Sequence, residues 1–408
     1  MFIVRRGRLV YSPAPPTGCV LRRTPILAWA LLELLERYPN LPDVAIPFNC
    51  RDKPTFWYPD GPQPRGSFEI ATTATVRDGK PALVFSYTTG HTFSDVPLPD
   101  ATFWGLPYAR IPPWKEWLGA LDRPASRRWH QKVDKILWVG TTGVGNGKLG
   151  FSSHPLRARF AQCGPKVFGN RLEIRGIAKE DVDRLAWKCP PGGSCGMPPH
   201  WLPLQEQCRY RIILHLPGVS DWLEHYKHQL SCGSLNVYVT EERDPNRRDQ
   251  RREAEVKAPL TPPGFEHFDW WGPLLQAGVH YVHIHVRRHQ RSDLCHVLKT
   301  ALAQLDADPD RARCIAERGR QLAKQLTMER VYEYMAGVLR GAAAIQRPEV
   351  SRRQATDHVV TKRNFLRHVS ESTRPWIERI FLPALGVNVS RMTAAAASRP
   401  GAAFSFKR

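Results

Sequence analysis

The chain has 408 residues, 42% of them apolar and 10% aromatic, enough for two domains with buried cores, which excludes a wholly disordered protein. Its 59 Lys and Arg against 38 Asp and Glu leave a formal charge of +21, a balance that suits a polyanionic partner, a phosphorylated substrate or an anionic membrane face. Thirty-six prolines, 29 glycines and the lack of a fixed-period repeat exclude a coiled coil or a helical array.

In chain order, Met1 is followed by Phe-Ile-Val-Arg-Arg, which reads as a strand start and not as a signal peptide. Residues 2–10 alternate weakly, as an edge strand does. Pro25 suits a helix start, and residues 26–38 carry apolar side chains at helical spacing. This stretch contains Glu33, and no apolar run approaches the roughly 18–20 residues of a membrane span. A strand over 44–48 ends at Asn49-Cys50-Arg51-Asp52, and further strands are predicted at 82–87 and 135–139, with a short helix at 114–121 between them. A Gly-rich loop covers 140–150. Then come a helix from 157 to 163, a strand at 172–174, and a loop rich in Pro, Gly and Cys at 188–203. The strand 211–216 turns at Pro217-Gly218 into a helix over 221–230, and 235–240 is again strand-like. Residues 241–257 carry mixed charge and read as a solvated insertion. A strand at 279–286 precedes amphipathic helices at 293–305, 310–326 and 328–344. Beyond Pro348 the chain turns basic and then Ala/Ser-rich, and is expected to be loosely held.

Strands alternating with helices indicate α/β units with parallel sheets. Two such sets, meeting near residues 140–165, indicate two doubly wound domains, whose ligands bind in the crevice at the carboxyl ends of the strands.

Several motifs bear on chemistry. The strand ending in His215-Leu-Pro-Gly218, with a following helix that holds Lys227, makes a phosphate cradle of free N–H groups and a helix dipole. The bland reading is a capped βα turn, because Asp221 and Glu224 fit a capping box and would repel a phosphate. Gly145-Asn-Gly147-Lys-Leu-Gly150 fits G-x-G-x-x-G, but no acidic residue ends a strand about 20 residues later, so a flexible loop is the better reading. His283 and His285 share a strand face that suits either a metal or a polar surface. Cys189 and Cys195 form half a zinc site or a local disulfide. Nine cysteines leave at least one unpaired if all the others are bridged. Arg51-Asp52 at a strand end is either a surface ion pair or, as in many α/β enzymes, the place of a general base.

Taken in order, these pieces resemble the CAP10-like glycosyltransferases, family 90, and among them the protein O-glucosyltransferases. The resemblance runs through Leu41-Pro-Asp43, Phe48-Asn-Cys-Arg51-Asp52-Lys-Pro54, Val84-Phe-Ser-Tyr87 with Asp95, Phe103-Trp-Gly-Leu-Pro107, and Trp138-Val-Gly140 with His154-Pro-Leu-Arg157. It is closest over residues 210–235, which end in Cys232-Gly-Ser-Leu235, and continues through 269–282, 315–319 and 331–334.

The resemblance implies a GT-B-like α/β fold of two Rossmann-like doubly wound domains with a cleft between them. Residues 1–150 would form the acceptor side and 151–330 the UDP-sugar side, with a helix at 331–347 packing back on the body and a basic, partly disordered tail at 348–408. It implies an inverting transfer of glucose or xylose from UDP-glucose or UDP-xylose, without metal or other cofactor, to a serine of an EGF-like repeat or to a glycan. Asp52 matches the catalytic base. Tyr108, Ala109, Arg110, Ile111, Pro112, Pro113, Gly140, Thr141, Arg157, Gly218, Val219, Ser220, His225 and Lys227 match the donor-binding positions. His225 stands nearest a position where the family has arginine. Cys208 and Cys232 match a family disulfide, which implies residence in the lumen of the endoplasmic reticulum or Golgi. No retrieval signal is visible at the closing Ser-Phe-Lys-Arg. A monomer is expected, with no nucleic-acid partner. The alternative, motivated by the altered diphosphate loop, is a catalytically silent relative that binds a glycan or protein.

Overall fold

The computed structural model describes residues 2–11, 23–49, 83–90, 95–106, 111–121, 128–141, 144–145, 148–149, 155–177, 202–217, 225–241, 267–346, 358–369, 374–390 and 392. The chain divides into two compact units, Met1–Cys50 with Tyr332–Arg408, and Arg51–Val331.

In the first unit, Phe2–Arg5 (β1) and Arg8–Tyr11 (β2) form a hairpin. Its two-residue turn has Arg6 at φ 50° and Gly7 at φ 69°, the left-handed pair that matches the twist of the flanking strands. The Arg6 amide donates to Asp43 Oδ1 at 2.6 Å, which holds the non-glycine residue in that strained region. The alternation that reads as one edge strand is therefore two strands, and β1 is interior. Helix α1, Arg23–Arg37, leads to Val44–Ile46 (β3), which pairs antiparallel with β1. β2 and β3 thus run in one direction with β1 between them. A strand–helix–strand order that suggests a parallel pair produces an antiparallel sheet, because the hairpin inserts a reversed strand. A fourth strand, His358–Val360, pairs with β2 inside the stretch expected to be loosely held. The exposed edge of β3 is capped by the side-chain amide of Gln346, which accepts from Ala45 N at 2.9 Å and donates to its carbonyl at 2.7 Å.

The second unit carries helix α2, Trp114–Leu121, and a sheet built from Val133–Thr141 (β4), Leu172–Ile177 (β5), Tyr210–His215 (β6), Leu235–Glu241 (β7) and Val282–Val286 (β8). The strands are ordered β5-β4-β6-β7-β8, and every pairing is parallel. Alternation decides what each face meets. Ile212, Leu214, Leu235, Val237 and Val239 point into one core with Leu156 and Phe160 of α3 (Pro155–Phe168) and Leu294 and Leu298 of α5 (Leu294–Asp306). His215 and Tyr238 point to the other face, where their rings lie 4.9 and 6.0 Å from Tyr226 of the helix Tyr226–Ser231 (α4). Helices on both faces make the sheet doubly wound. Pro309–Lys324 (α6) follows, and Met328–Ile345 (α7) begins in this unit and belongs from Tyr332 onward to the first. Among the described residues this is the one five-stranded parallel sheet.

Two disulfides pin the second unit. Cys208–Cys232 ties the approach to β6 to the end of α4, as the resemblance implies. Cys163–Cys295 joins α3 to α5 across 132 residues and was not foreseen.

Candidate functional site

A sheet ordered β5-β4-β6-β7-β8 reverses its direction of growth between β4 and β6. From β4 the chain crosses one way to β5, and from β6 it steps the other way to β7. The loops leaving the carboxyl ends of β4 and β6 therefore part, and the gap between them is where open α/β sheets bind ligands. Gly140 and Thr141 close β4 at that gap. Arg157 lies in the first turn of α3, and Leu216 directly follows β6.

Arg157 is buried to 9% exposure, and its Nε and Nη2 donate to the Leu216 carbonyl at 3.3 and 3.1 Å. One side of the gap is thereby fastened to the other. Burial lowers the Arg157 pKa and the nearby Tyr238 opposes that, but a guanidinium remains charged in water at any ordinary pH. His225 occupies the N-cap position of α4, without a side-chain capping hydrogen bond. Burial, and then the charges of Lys227 and Arg157, lower its pKa to about 4, with Asp100 opposing. The imidazole is therefore neutral at pH 7. The Arg157 charge thus acts on the His225 ring.

Lys227 has a different setting. Its ammonium is fully buried, pairs with Asp100 Oδ2 at 2.8 Å, hydrogen-bonds the Thr102 hydroxyl and lies 4.1 Å from the Phe103 ring centroid. Asp100 caps the turn Ala101–Phe103 by accepting from Thr102 N at 2.7 Å. Burial alone pushes the Asp100 carboxyl up, but Lys227, Asp269 and Thr102 together hold it below its ordinary value. Asp269, also fully buried, is pushed well above the usual carboxylate range by burial and by the Asp100 charge. One proton and one ammonium thus offset two acids, and Asp269 donates to Asp100 as a neutral carboxyl. Asp100 and Asp269 were not singled out from the sequence. The Asp-Ala-Thr order before Phe103-Trp104 is a turn-capping signal that points to Asp100, whereas nothing local marks Asp269.

The proposed sugar-lining segment is held against α4. Leu106 and Ile111 exchange backbone hydrogen bonds of 2.8 and 3.1 Å. Gly105, at φ 92°, permits the approach, since a Cβ there would lie 2.9 Å from Pro113 N. Pro112 presents its carbonyl to the buried ring of His228, which packs edge-on against Trp114 and Trp117 at 4.9 and 5.5 Å. Asp52, Tyr108, Ala109, Arg110, Gly218, Val219 and Ser220 lie outside the described residues, as do Cys189 and Cys195.

Two other motifs resolve otherwise. Val144–Gly145 and Lys148–Leu149 pair antiparallel, so the G-x-G-x-x-G run contains a hairpin rather than an open loop. His283 Nε2 and His285 Nδ1 lie 2.7 and 3.2 Å from the Thr240 hydroxyl. Among the described residues no group of three or more His, Cys, Asp or Glu is placed to hold a metal ion.

The fold and the site together define a Rossmann-like α/β protein with Arg157 fastened across the switch point of its parallel sheet. Residues 17–160 and 263–379, well over half of the chain, match the family described as Glycosyl transferase family 90. The chain belongs to that family. The match omits residues 161–262, which include the 210–235 stretch. An O-glucosyltransferase rumi homolog from Aedes aegypti is 24% identical over 322 residues, covering 77% of this chain and 64% of that protein. One from Anopheles gambiae is 26% identical over 288 residues, covering 69% and 56%. The chain spans less than two thirds of the length of either relative.

Proposed function

We propose that this chain is an O-glycosyltransferase that moves glucose or xylose from a UDP-sugar to a hydroxyl of a protein serine or a glycan. The observation that carries the reading is Arg157 fastened to the Leu216 carbonyl at the switch point of a parallel sheet, in a chain of family 90. In this reading residues 1–150 furnish the acceptor side and 151–330 the donor side of a GT-B arrangement.

Asp52 is the base. An alcohol ionises far above pH 7, so a positioned carboxylate that takes its proton during attack on the anomeric carbon contributes roughly 10²–10⁴-fold. Attack from the face opposite UDP inverts the configuration. The departing diphosphate gathers negative charge, which fixed donors stabilise without reorganising. Arg157 supplies a cation already oriented by the Leu216 carbonyl, and the ends of β4 and β6 supply backbone donors. No metal ion has a part in this scheme. Two disulfides support residence in an oxidising compartment such as the endoplasmic reticulum or Golgi lumen. No helix of the described residues is long and apolar enough to cross a membrane.

The second reading is a silent relative that binds a glycan or protein. It is favoured by His225 in place of an arginine and by the engagement of Lys227 with Asp100. Thermal shift with UDP, UDP-glucose and UDP-xylose separates the two. A donor at a hundredfold excess over its Kd stabilises the fold by about 2.7 kcal/mol. The enzyme reading expects such a shift, together with UDP release when an acceptor is added. A chain that no UDP compound stabilises, and that releases no UDP, is the silent relative.

A further inference from the structure

We propose that His283 and His285 form a two-imidazole site for a divalent cation of the zinc and nickel class, at the outer edge of the parallel sheet. The proposal goes beyond the sugar-transfer reading and does not depend on it.

The strand places the two rings. In β8, Ile284 and Val286 point into the core shared with α3 and α5, and Val282 packs against that core. Side chains alternate along a strand, so His283 and His285 both face the other side. β8 is the last strand of the sheet and pairs with β7. Thr240 of β7 stands opposite His285 in register. Its hydroxyl lies 2.7 Å from His283 Nε2 and 3.2 Å from His285 Nδ1, and the two ring centroids are 6.2 Å apart. Two ring nitrogens therefore converge on one oxygen. A hydroxyl carries one proton, so it donates to one ring and accepts from the other. In either arrangement both nitrogens aim at a single point, as a chelating pair must.

The donor set selects the ion. Imidazole suits zinc, nickel and copper, whereas magnesium and calcium take oxygen ligands. Among the described residues no third His, Cys, Asp or Glu joins the pair. Water and the Thr240 hydroxyl therefore complete the shell, and the ion exchanges more freely than in a four-ligand structural site. Burial, and then the neighbouring His285, lower the His283 pKa to about 4, so a proton does not compete for that ring at pH 7. Binding is ligand exchange. Two waters leave the aquo ion, two ring nitrogens replace them, and each neutral ring keeps one N–H on its far nitrogen. Nothing is oxidised or reduced. Zinc–nitrogen bonds of about 2.0–2.1 Å are shorter than the two hydrogen bonds, so the rings draw in around the ion as the hydroxyl yields. The ion stiffens the edge strand without entering the switch point, which lies between β4 and β6.

The test is calorimetry of zinc binding to the full chain at pH 7, with the disulfides intact and magnesium as the control. His283→Gln and His285→Gln are measured beside the native chain. Changing a residue that merely supports a metal ligand costs about 10–100-fold in affinity, so losing a ligand is expected to cost at least about tenfold. The native chain is expected to bind a zinc ion that both variants hold more weakly by that factor, and magnesium is expected to give no binding heat. Imidazole nitrogen NMR is expected to place the zinc on His283 Nε2 and His285 Nδ1. The His285 side chain is exposed, so His285→Gln is expected to keep the fold, and it carries the comparison if His283→Gln does not. Zinc bound equally by native and variant chains overturns the proposal, as does a native chain that binds no zinc at millimolar concentration. Neither result bears on UDP binding or sugar transfer, so the enzyme reading stands or falls separately.

Discussion

Lys227 shows how a charge read from sequence depends on its partner. In the sequence it stands on a helix behind a glycine turn, which suits a phosphate cation. In the fold its ammonium is fully buried against Asp100, 127 residues earlier in the chain. Such a pair is costly to desolvate, and its partial removal is costlier, because the remaining charge has no compensation. Lys227→Met is therefore expected to lower unfolding free energy by about 3–5 kcal/mol in urea titration. Lys227→Met together with Asp100→Asn is expected to recover a large part of that loss. A single-variant loss below about 1 kcal/mol, the range of exposed pairs, would mean that the ion pair is solvated. Arg157 was singled out through the family resemblance alone, and in the fold its guanidinium donates to the backbone of Leu216 rather than to a remote side chain.

Among the elements, helix positions were the most legible. The spacing over 114–121 is reproduced as Trp114–Leu121, and that over 328–344 as Met328–Ile345. Strand existence was also legible, as was the parallel direction of the five-stranded sheet, but strand direction in the N-terminal sheet was not. The hairpin at Arg6-Gly7 lacks an Asn-Gly signature, and its reversal of β1 changes the sheet from parallel to antiparallel. Helix contacts were hidden as well. In α6, a Cβ on Gly319 would lie 2.5 Å from the His280 carbonyl oxygen and 2.8 Å from Leu230 Cδ1 of α4. In α7, a Cβ on Gly337 would meet nothing within 4 Å. Gly319→Ala is expected to cost about 1–3 kcal/mol through overpacking. Gly337→Ala is expected to gain up to about 1 kcal/mol through helix propensity. Thermal melts of the two variants moving in the same direction would show that α6 does not press on α4 as described.

For the molecule as a whole, the alternation of strands and helices indicated an α/β protein, and the motifs taken in order indicated family 90. Long-range closure was less accessible. Cys208–Cys232 spans 24 residues and belongs to a recognisable pattern, whereas Cys163–Cys295 spans 132 and belongs to none. A link that closes so long a loop restricts the unfolded chain by about 3–5 kcal/mol in entropic models. The charge of +21 suits the anionic UDP-sugar donor of the proposed reaction, although the local balance at the crevice is set by a few residues rather than by the total.

The central claim is that this chain transfers a sugar with Asp52 as its base. UDP release from UDP-glucose and UDP-xylose, in the presence of a folded EGF-like repeat or a glycan acceptor, tests it most directly when native chain and Asp52→Asn are compared. The account predicts acceptor-dependent release by the native chain. It predicts a fall of roughly 10²–10⁴-fold in Asp52→Asn while UDP affinity is kept. Undiminished turnover in Asp52→Asn would contradict the assignment of the base, and a native chain that binds UDP yet never releases it from either sugar nucleotide would contradict the enzyme.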